Sequence, residues 1–569
     1  MNDCLRSCLT GVSALARSVL RDFPLSKRTA GTGIVVAVAA LLAFPAASYS
    51  QGQGEKKPPA PSSEEAALQF TDATNLQNAG KYGLAADEYV DFIKRFPEDP
   101  YIPRAWHYLS VCNLKQEKYD ETVAAAQKAL AAGGANFDLA AESYLFLGLA
   151  HYHLGQNSKD AAARGDHLTK AAAALGTVAT KFAKSPHAPQ ALYYNAEAHY
   201  AAGRKAEAVK AYEMLIDEHP KSELVPSALY GLGFALEELG DPAAAGKAYD
   251  KFLKDYATHD LAADVTLRRG ETLLAQKQFA EAKPLFAKAA AIEGFAQADQ
   301  ALLQQASCAY ELKEFDEAAT LYLQIPKRFP QSPQAANAQM NAGKALLLVE
   351  KFPEARAAMA VLLGAENKDL AAEAAHLTAR CLLREKNPAA AAAVADKALA
   401  AAKGGKWEPQ LLLDRADATF DQDDKHKQAV DAYLALVQAY PEHPLAADGR
   451  FMAAYASLKA DDPKQAQALA AEFLKRHAEH TLVAEAAAVL AESNLLLRDF
   501  AAAEKQFRDL IAKYGDHRDK PQWQRRLGYT LLLADKHAAA IEQLAPLVAG
   551  TKDPEALADV QYWIATSQI

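Results

Sequence analysis

The sequence is short of the residues that usually declare a chemistry. Five cysteines occur in 569 residues, and two of them, Cys4 and Cys8, lie in the N-terminal segment. The other three, Cys112, Cys308 and Cys381, recur at one position of a repeat described below. Cys308 and Cys381 stand two repeats apart, beyond the roughly 7 Å that a disulfide spans. They are expected to be buried small residues in place of alanine, which excludes a disulfide framework. No HExxH, GxSxG, GxxxxGK[ST] or CxxC motif occurs, so no catalytic residue, cofactor or metal site is expected. Long basic runs are also missing and the formal charge is −9. Phosphate-backbone binding therefore has little electrostatic support, and no nucleic-acid partner is expected.

One apolar run, Ile34 to Phe44, is too short for the roughly 20 residues of a comfortable membrane span. It follows the basic stretch Arg17 to Arg28 and precedes Pro45-Ala-Ala-Ser-Tyr-Ser50. That order is the n-region, h-region and small-residue cleavage site of a secretory signal. Residues 1–50 are read as a signal peptide cut before Gln51, or as an uncleaved N-terminal anchor, the one route to membrane association. No cysteine follows the apolar run, so a lipoprotein anchor is not supported. Residues 51–64 read as a Gly/Pro-rich linker, and Ser62 with Glu65 is expected to form a capping box for the first helix. An exported, periplasmic or cell-envelope location follows from this reading.

What the sequence does have is a period of 36–38 residues. The stretch Ala298–Pro333 shows the unit: two amphipathic helices expected at Asp299–Leu312 and Phe315–Phe329, a Lys313-Glu314 turn, and Pro330 to stop the second helix. Three columns of small residues recur through thirteen copies. The first runs Ala73, Ser110, Gly148, Ala196, Gly233, Gly270, Ala306, Gly343, Ala379, Ala416, Ala454, Ala491 and Gly528. A second lies two residues further on, and a third falls on the second helix, as at Ala85, Ala208, Ala318 and Ala540. Helix axes approach to roughly 8–10 Å where side chains at the crossing are small. Four residues after the third column a ring often returns (Tyr89, Tyr212, Tyr249, Phe286, Tyr322, Tyr433, Phe507), filling the space left open.

The spacing of small, small, then alanine and a helix-ending proline resembles the tetratricopeptide repeat, with Trp106, Leu109 and Ser110 nearest to its first-helix pattern. Pro97, Pro220, Pro330 and Pro441 stand at its terminal proline position. The resemblance implies an all-α fold, an α-α superhelix of about thirteen helix-turn-helix repeats over residues 65–555. Residues 556–569 would begin a fourteenth repeat or form a terminal cap, and the alternative of a chain continuing past Ile569 stays open. Inter-repeat turns such as FPEDP (96–100), FPQSP (329–333) and YPEHP (440–444) look like those of bacterial cell-envelope proteins with this repeat, of the outer-membrane assembly and Tol-Pal-associated type. The function implied is a non-enzymatic scaffold that holds protein or peptide segments in envelope assembly or maintenance. Alternatives are a scaffold of a polysaccharide secretion system, or the N-terminal part of a larger enzyme.

One residue after the first column lies a position that varies freely, from Thr74 and Glu197 to Phe234, Glu271, Lys344 and Tyr529. In the family it faces the concave groove, so solvent or a ligand is the expected neighbour. Together with rings three residues before the column, this marks Tyr193, Glu197, Tyr200, Tyr230, Phe234, Glu237 and Glu271 as a candidate partner-binding groove of aromatics rimmed by charge. His259, His443, His480 and His517 share one inter-repeat turn position. Successive repeats set them roughly 10 Å apart, which favours helix-end caps over a metal ladder.

Overall fold

A computed structural model describes residues 60–569; the expected signal or anchor segment at 1–50, and the linker up to residue 59, lie outside the described residues. Among the described residues the secondary structure is 27 α-helices and three short 3-10 segments, without strands. No helix among them is long and apolar enough to cross a membrane.

The described residues divide into two compact units, one ending at Ala150 and the other running from His151 to Ile569. The first holds the helix pairs Glu64–Asn78 with Tyr82–Arg95 and Ile102–Lys115 with Tyr119–Gly133. Helices Ala140–Asn157 and Ala161–Lys181 are the third pair in sequence. Repeats four to thirteen lie in the second unit, from Ala188–Ala201 with Lys205–Glu218 to Lys520–Leu533 with His537–Leu544. Helices Glu64–Asn78 to Tyr119–Gly133 pack each on the next, as do helices Ala161–Lys181 to Pro554–Gln568, and from the eighth repeat onward first helices also lie directly against the first helix of the next repeat. The expected helices of the repeat at Ala298–Pro333 are observed at Ala298–Glu311 and Phe315–Arg328.

Local chemistry sets both kinds of turn. Within a repeat, except in the third and tenth, the chain reverses through one left-handed residue, a glycine at Gly80, Gly203 and Gly240 but a charged residue in the others, such as Lys313 at φ 63°. Asp241, Asn387, Asp462 and Asp499 then cap the following helix by accepting an N–H from its first turn. Between repeats, the side chains of Asp99, Ser185, Ser222 and Ser332 accept the N–H two residues on. His259, His443, His480 and His517 do the same through Nδ1, at 3.1–3.3 Å. The shared histidine position is a turn cap, and the bond places the proton on Nε2. The first helix is capped by Ser63, whose Oγ accepts from the Ala66 N–H at 3.1 Å. Ser62 instead donates to Asp99 of the next turn, so the expected Ser62–Glu65 box does not form.

The small columns are the core. Every residue of the first and third columns is buried, and the second departs only at Asn75, exposed in the first repeat. The rings close over them. A Cβ added at Gly233 would collide with the ring of Tyr249, and one at Gly528 with the side chain of Leu544. Glycine there is required by contact with the second helix. The second helix of the third repeat, Ala161–Lys181, is longer than its counterparts at 21 residues and is capped by Asp160. At the C-terminal end of the described chain, helix Pro554–Gln568 turns Val560 inward and sets Trp563 4.7 Å from the Tyr529 ring, leaving Tyr562 exposed.

Candidate functional site

The variable position beside the first column has a structural partner. In four repeats its residue meets the ring of the same repeat's second helix: Thr74 with Tyr89 at 3.2 Å, Ser307 with Tyr322 at 3.1 Å, Asp417 with Tyr433 at 2.7 Å, and Glu197 with Tyr212. In these four cases the ring's hydroxyl finds a polar partner, and Glu197 and Asp417 accept from it. The variety reflects this pairing as well as exposure, because Leu149 and Glu197 are buried and the other eleven positions are half-buried. Three residues before the column, Phe70, His107, Tyr193, Met340 and Phe451 are core residues, and Tyr230 is half-buried.

The seven candidate residues therefore separate into two groups. Tyr193 and Glu197 are 8% and 6% exposed and belong to a closed cluster. The hydroxyls of Tyr152, Tyr193 and Tyr212 converge on the Glu197 carboxylate. Burial pushes that carboxyl above the ordinary range while the three donors pull it back down. The remaining five gather on the first helices Ala188–Ala201, Val225–Glu238 and Ala262–Ala275 around a residue that the column reading passed over, Arg268. Its guanidinium lies 5.0 Å over the Phe234 ring, 3.1 Å from Glu271 and 3.7 Å from Glu237. Tyr200 donates to Glu238 at 2.7 Å and its ring lies 5.8 Å from Phe234. Lys205 reaches Glu238 at 2.9 Å, and Gln300 of the seventh repeat donates to Glu271 at 3.0 Å. Arg268 stands two residues before Gly270, outside both columns. Its signal in the sequence was its charge, where the neighbouring repeats carry Gly231 and Gln304.

This face combines aromatic planes with paired charges, with Glu237, Glu238, Glu271 and Asp264 outnumbering Arg268 and Lys205. Cation–π contact and multiple carboxylates hold Arg268 in place, so the rings present a fixed surface. A Ser143–His107–Glu142 array also occurs, with Nδ1 2.8 Å from Ser143 Oγ and Nε2 3.3 Å from Glu142. His107 and Ser143 are fully buried, so no substrate reaches the hydroxyl. The thiols of Cys112, Cys308 and Cys381 are free, buried and each pushed up to about 12 by burial, which leaves them inert. Among the described residues no group of three or more His, Cys, Asp or Glu is placed to hold a metal ion.

Comparison with known proteins agrees with this architecture. Three family models, each described as tetratricopeptide repeat, match residues 70–137, 156–223, 340–406 and 495–554 for the first, 273–342 for the second and 227–259 for the third, together more than half of the chain. The chain belongs to the tetratricopeptide-repeat family. That repeat is typically a non-catalytic scaffold for protein–protein interaction, and no catalytic family is indicated. Among solved structures, the chain is similar to the Naa15/Naa10 complex bound to HypK-THB, at 14% identity over 89% of this chain and 78% of that one, TM-score 0.36. It is similar to the Cut9-Hcn1 hetero-tetramer of the APC/C, at 13% identity over 88% and 96%, TM-score 0.32. A thermophilic TPR protein of Thermus thermophilus matches at 18% identity over 37% of this chain and 99% of that one, TM-score 0.26. The search of curated proteins finds no match.

Proposed function

We propose that this tetratricopeptide-repeat scaffold is exported and holds a protein segment in the bacterial cell envelope, on the first-helix face of repeats four to six. The observation that carries the binding reading is the Arg268 assembly, in which Tyr200, Tyr230, Phe234, Glu237 and Glu271 from three consecutive repeats share one ordered surface. Aromatic anchors surrounded by charge are the composition of interaction hot spots. The excess of carboxylates favours a partner segment with lysine or arginine beside an apolar residue. Support for export and the envelope comes from the n-region, h-region and cleavage-site order in residues 1–50.

Two experiments separate these claims. Fractionation of cells expressing the full chain, read by immunoblot, is expected to place it outside the cytoplasm; a purely cytoplasmic protein overturns the envelope role and leaves the scaffold reading standing. Affinity capture from the same fraction compares the wild type with a Tyr200→Ala, Phe234→Ala, Arg268→Ala variant of unchanged circular dichroism. A protein held by the wild type and lost by the variant is the expected outcome, while equal retention moves the binding surface elsewhere.

A further inference from the structure

A polar network, with no large ring from the ninth repeat's second helix, joins the ninth and tenth repeats. In repeats six to nine one apolar cluster runs from Leu267 to Cys381, and Phe286, Tyr322 and Met359 from successive second helices are seated in it. The second helix of the ninth repeat, Pro388–Ala402, reads PAAAAAVADKALAAA and has Ala395 at the ring position. Where it meets its neighbours the buried residues are small: Ala372, Ala375 and Ala402 with Leu411, and Ala379, Ala391 and Ala418 with Leu382. The first helices Lys368–Arg384 and Glu408–Phe420 consequently lie directly against one another.

Charged groups cross this joint. His376 Nδ1 is 2.5 Å from Asp414, which is 1% exposed, and the Trp407 ring stacks on the imidazole at 5.5 Å. Arg380 stands 3.8 Å from Asp414 and 2.9 Å from Asp417, and Tyr433 donates to Asp417 at 2.7 Å. Two carboxylates thus share one guanidinium. That leaves one negative charge, which a proton on Asp417 would neutralise. Burial pushes the Asp417 carboxyl up to about 6, with Arg380 and Tyr433 pulling it down and Asp414 and Asp421 raising it. Nearby charges on the same elements are engaged elsewhere: Glu373 with Lys344, Arg384 with Glu350, and Arg415 with Asp396.

We propose that the junction of repeats nine and ten is a proton-linked joint, which takes up one proton on mild acidification and then holds the two repeats together more tightly than at neutral pH. The sign follows from linkage. A carboxyl raised by folding binds its proton at a higher pH than in the unfolded chain, so stability rises as pH falls through the folded value and the gain is complete near the unfolded one.

The test is hydrogen exchange with mass-spectrometric readout on the full chain, corrected for intrinsic rates, between about pH 7.5 and about pH 5.5. Protection of helices Lys368–Arg384 and Glu408–Phe420 is expected to rise roughly fourfold on acidification relative to Ala298–Arg328. Asp417→Asn removes the titrating group and should flatten that response. Tyr433→Phe removes a donor that lowers the Asp417 value and should move the midpoint to higher pH. A wild-type response no greater than that of the reference repeat, an unchanged slope in Asp417→Asn, or an unmoved midpoint in Tyr433→Phe each overturns the proposal.

Discussion

Repeats six to eight and the ninth repeat, where it meets the tenth, share one frame of small residues and fill it differently. In the former, a large side chain from the second helix sits where the first helix has none: Phe286 lies over Gly270 and Met359 over Gly343, each within 3 Å of where a Cβ would be. In the latter, Ala395 leaves that volume to close approach of the first helices, and His376, Arg380, Asp414 and Asp417 supply the cross-repeat contact. Apolar contact is nearly indifferent to pH and intolerant of shape change. A charged joint is the reverse, since the attraction depends on protonation and the burial of its members costs desolvation. A solenoid is stabilised by its repeats and their nearest-neighbour interfaces, so such a difference stays local.

Four substitutions or conditions break or sharpen that contrast. Removing the ring from the apolar block, Tyr322→Ala, should lower the local unfolding free energy of the seventh repeat by about 3–5 kcal/mol. Exchange of helix Ala298–Glu311 would report it, with little change at Glu408–Phe420. Gly343→Ala places a Cβ 2.5 Å from Met359 and should cost about 1–3 kcal/mol through overpacking, visible as a lower melting temperature. Acidification supplies the third. Burial first, then Arg450 with its Nη1 2.9 Å from the ring, hold His477 below its ordinary value of 6.5. The folded eleventh repeat disfavours the proton that the unfolded chain accepts, so its stability should fall as pH drops below that value. Exchange of helix Pro463–Arg476 would speed up on acidification as the ninth and tenth repeats slow down. The smallest effect is expected from Lys313→Gly: relieving a left-handed residue at φ 63° should stabilise by about 0.5–1 kcal/mol, read from the melting temperature.

The repeat frame was legible because three columns of small residues impose a spacing that any viewer of the sequence can count. Ala306, Ala318 and Tyr322 sit where that spacing puts them, all essentially inaccessible. Positions beside the columns were harder, because their neighbours come from fifteen or more residues away. Glu197 reads as a groove carboxylate until Tyr212 is seen across from it, and Arg268 has no columnar signal at all. Ser62 lost the cap to Ser63 for a similar reason: its partner, Asp99, is supplied by the next turn. Trp563 is covered by Tyr529, a contact visible only once the last helix is placed.

Affinity measured directly, between the purified chain and a segment of whatever protein the groove captures, tests the scaffold claim best. Phe234→Ala and Tyr455→Ala change the same repeat position on two faces, one beside Arg268 and one in the eleventh repeat. Titration calorimetry of the two variants and the wild type is expected to show binding weakened roughly tenfold or more by Phe234→Ala, as befits a hot spot, and unchanged by Tyr455→Ala. Equal weakening by both, or undiminished binding with Phe234→Ala, would contradict the assignment of the partner to repeats four to six.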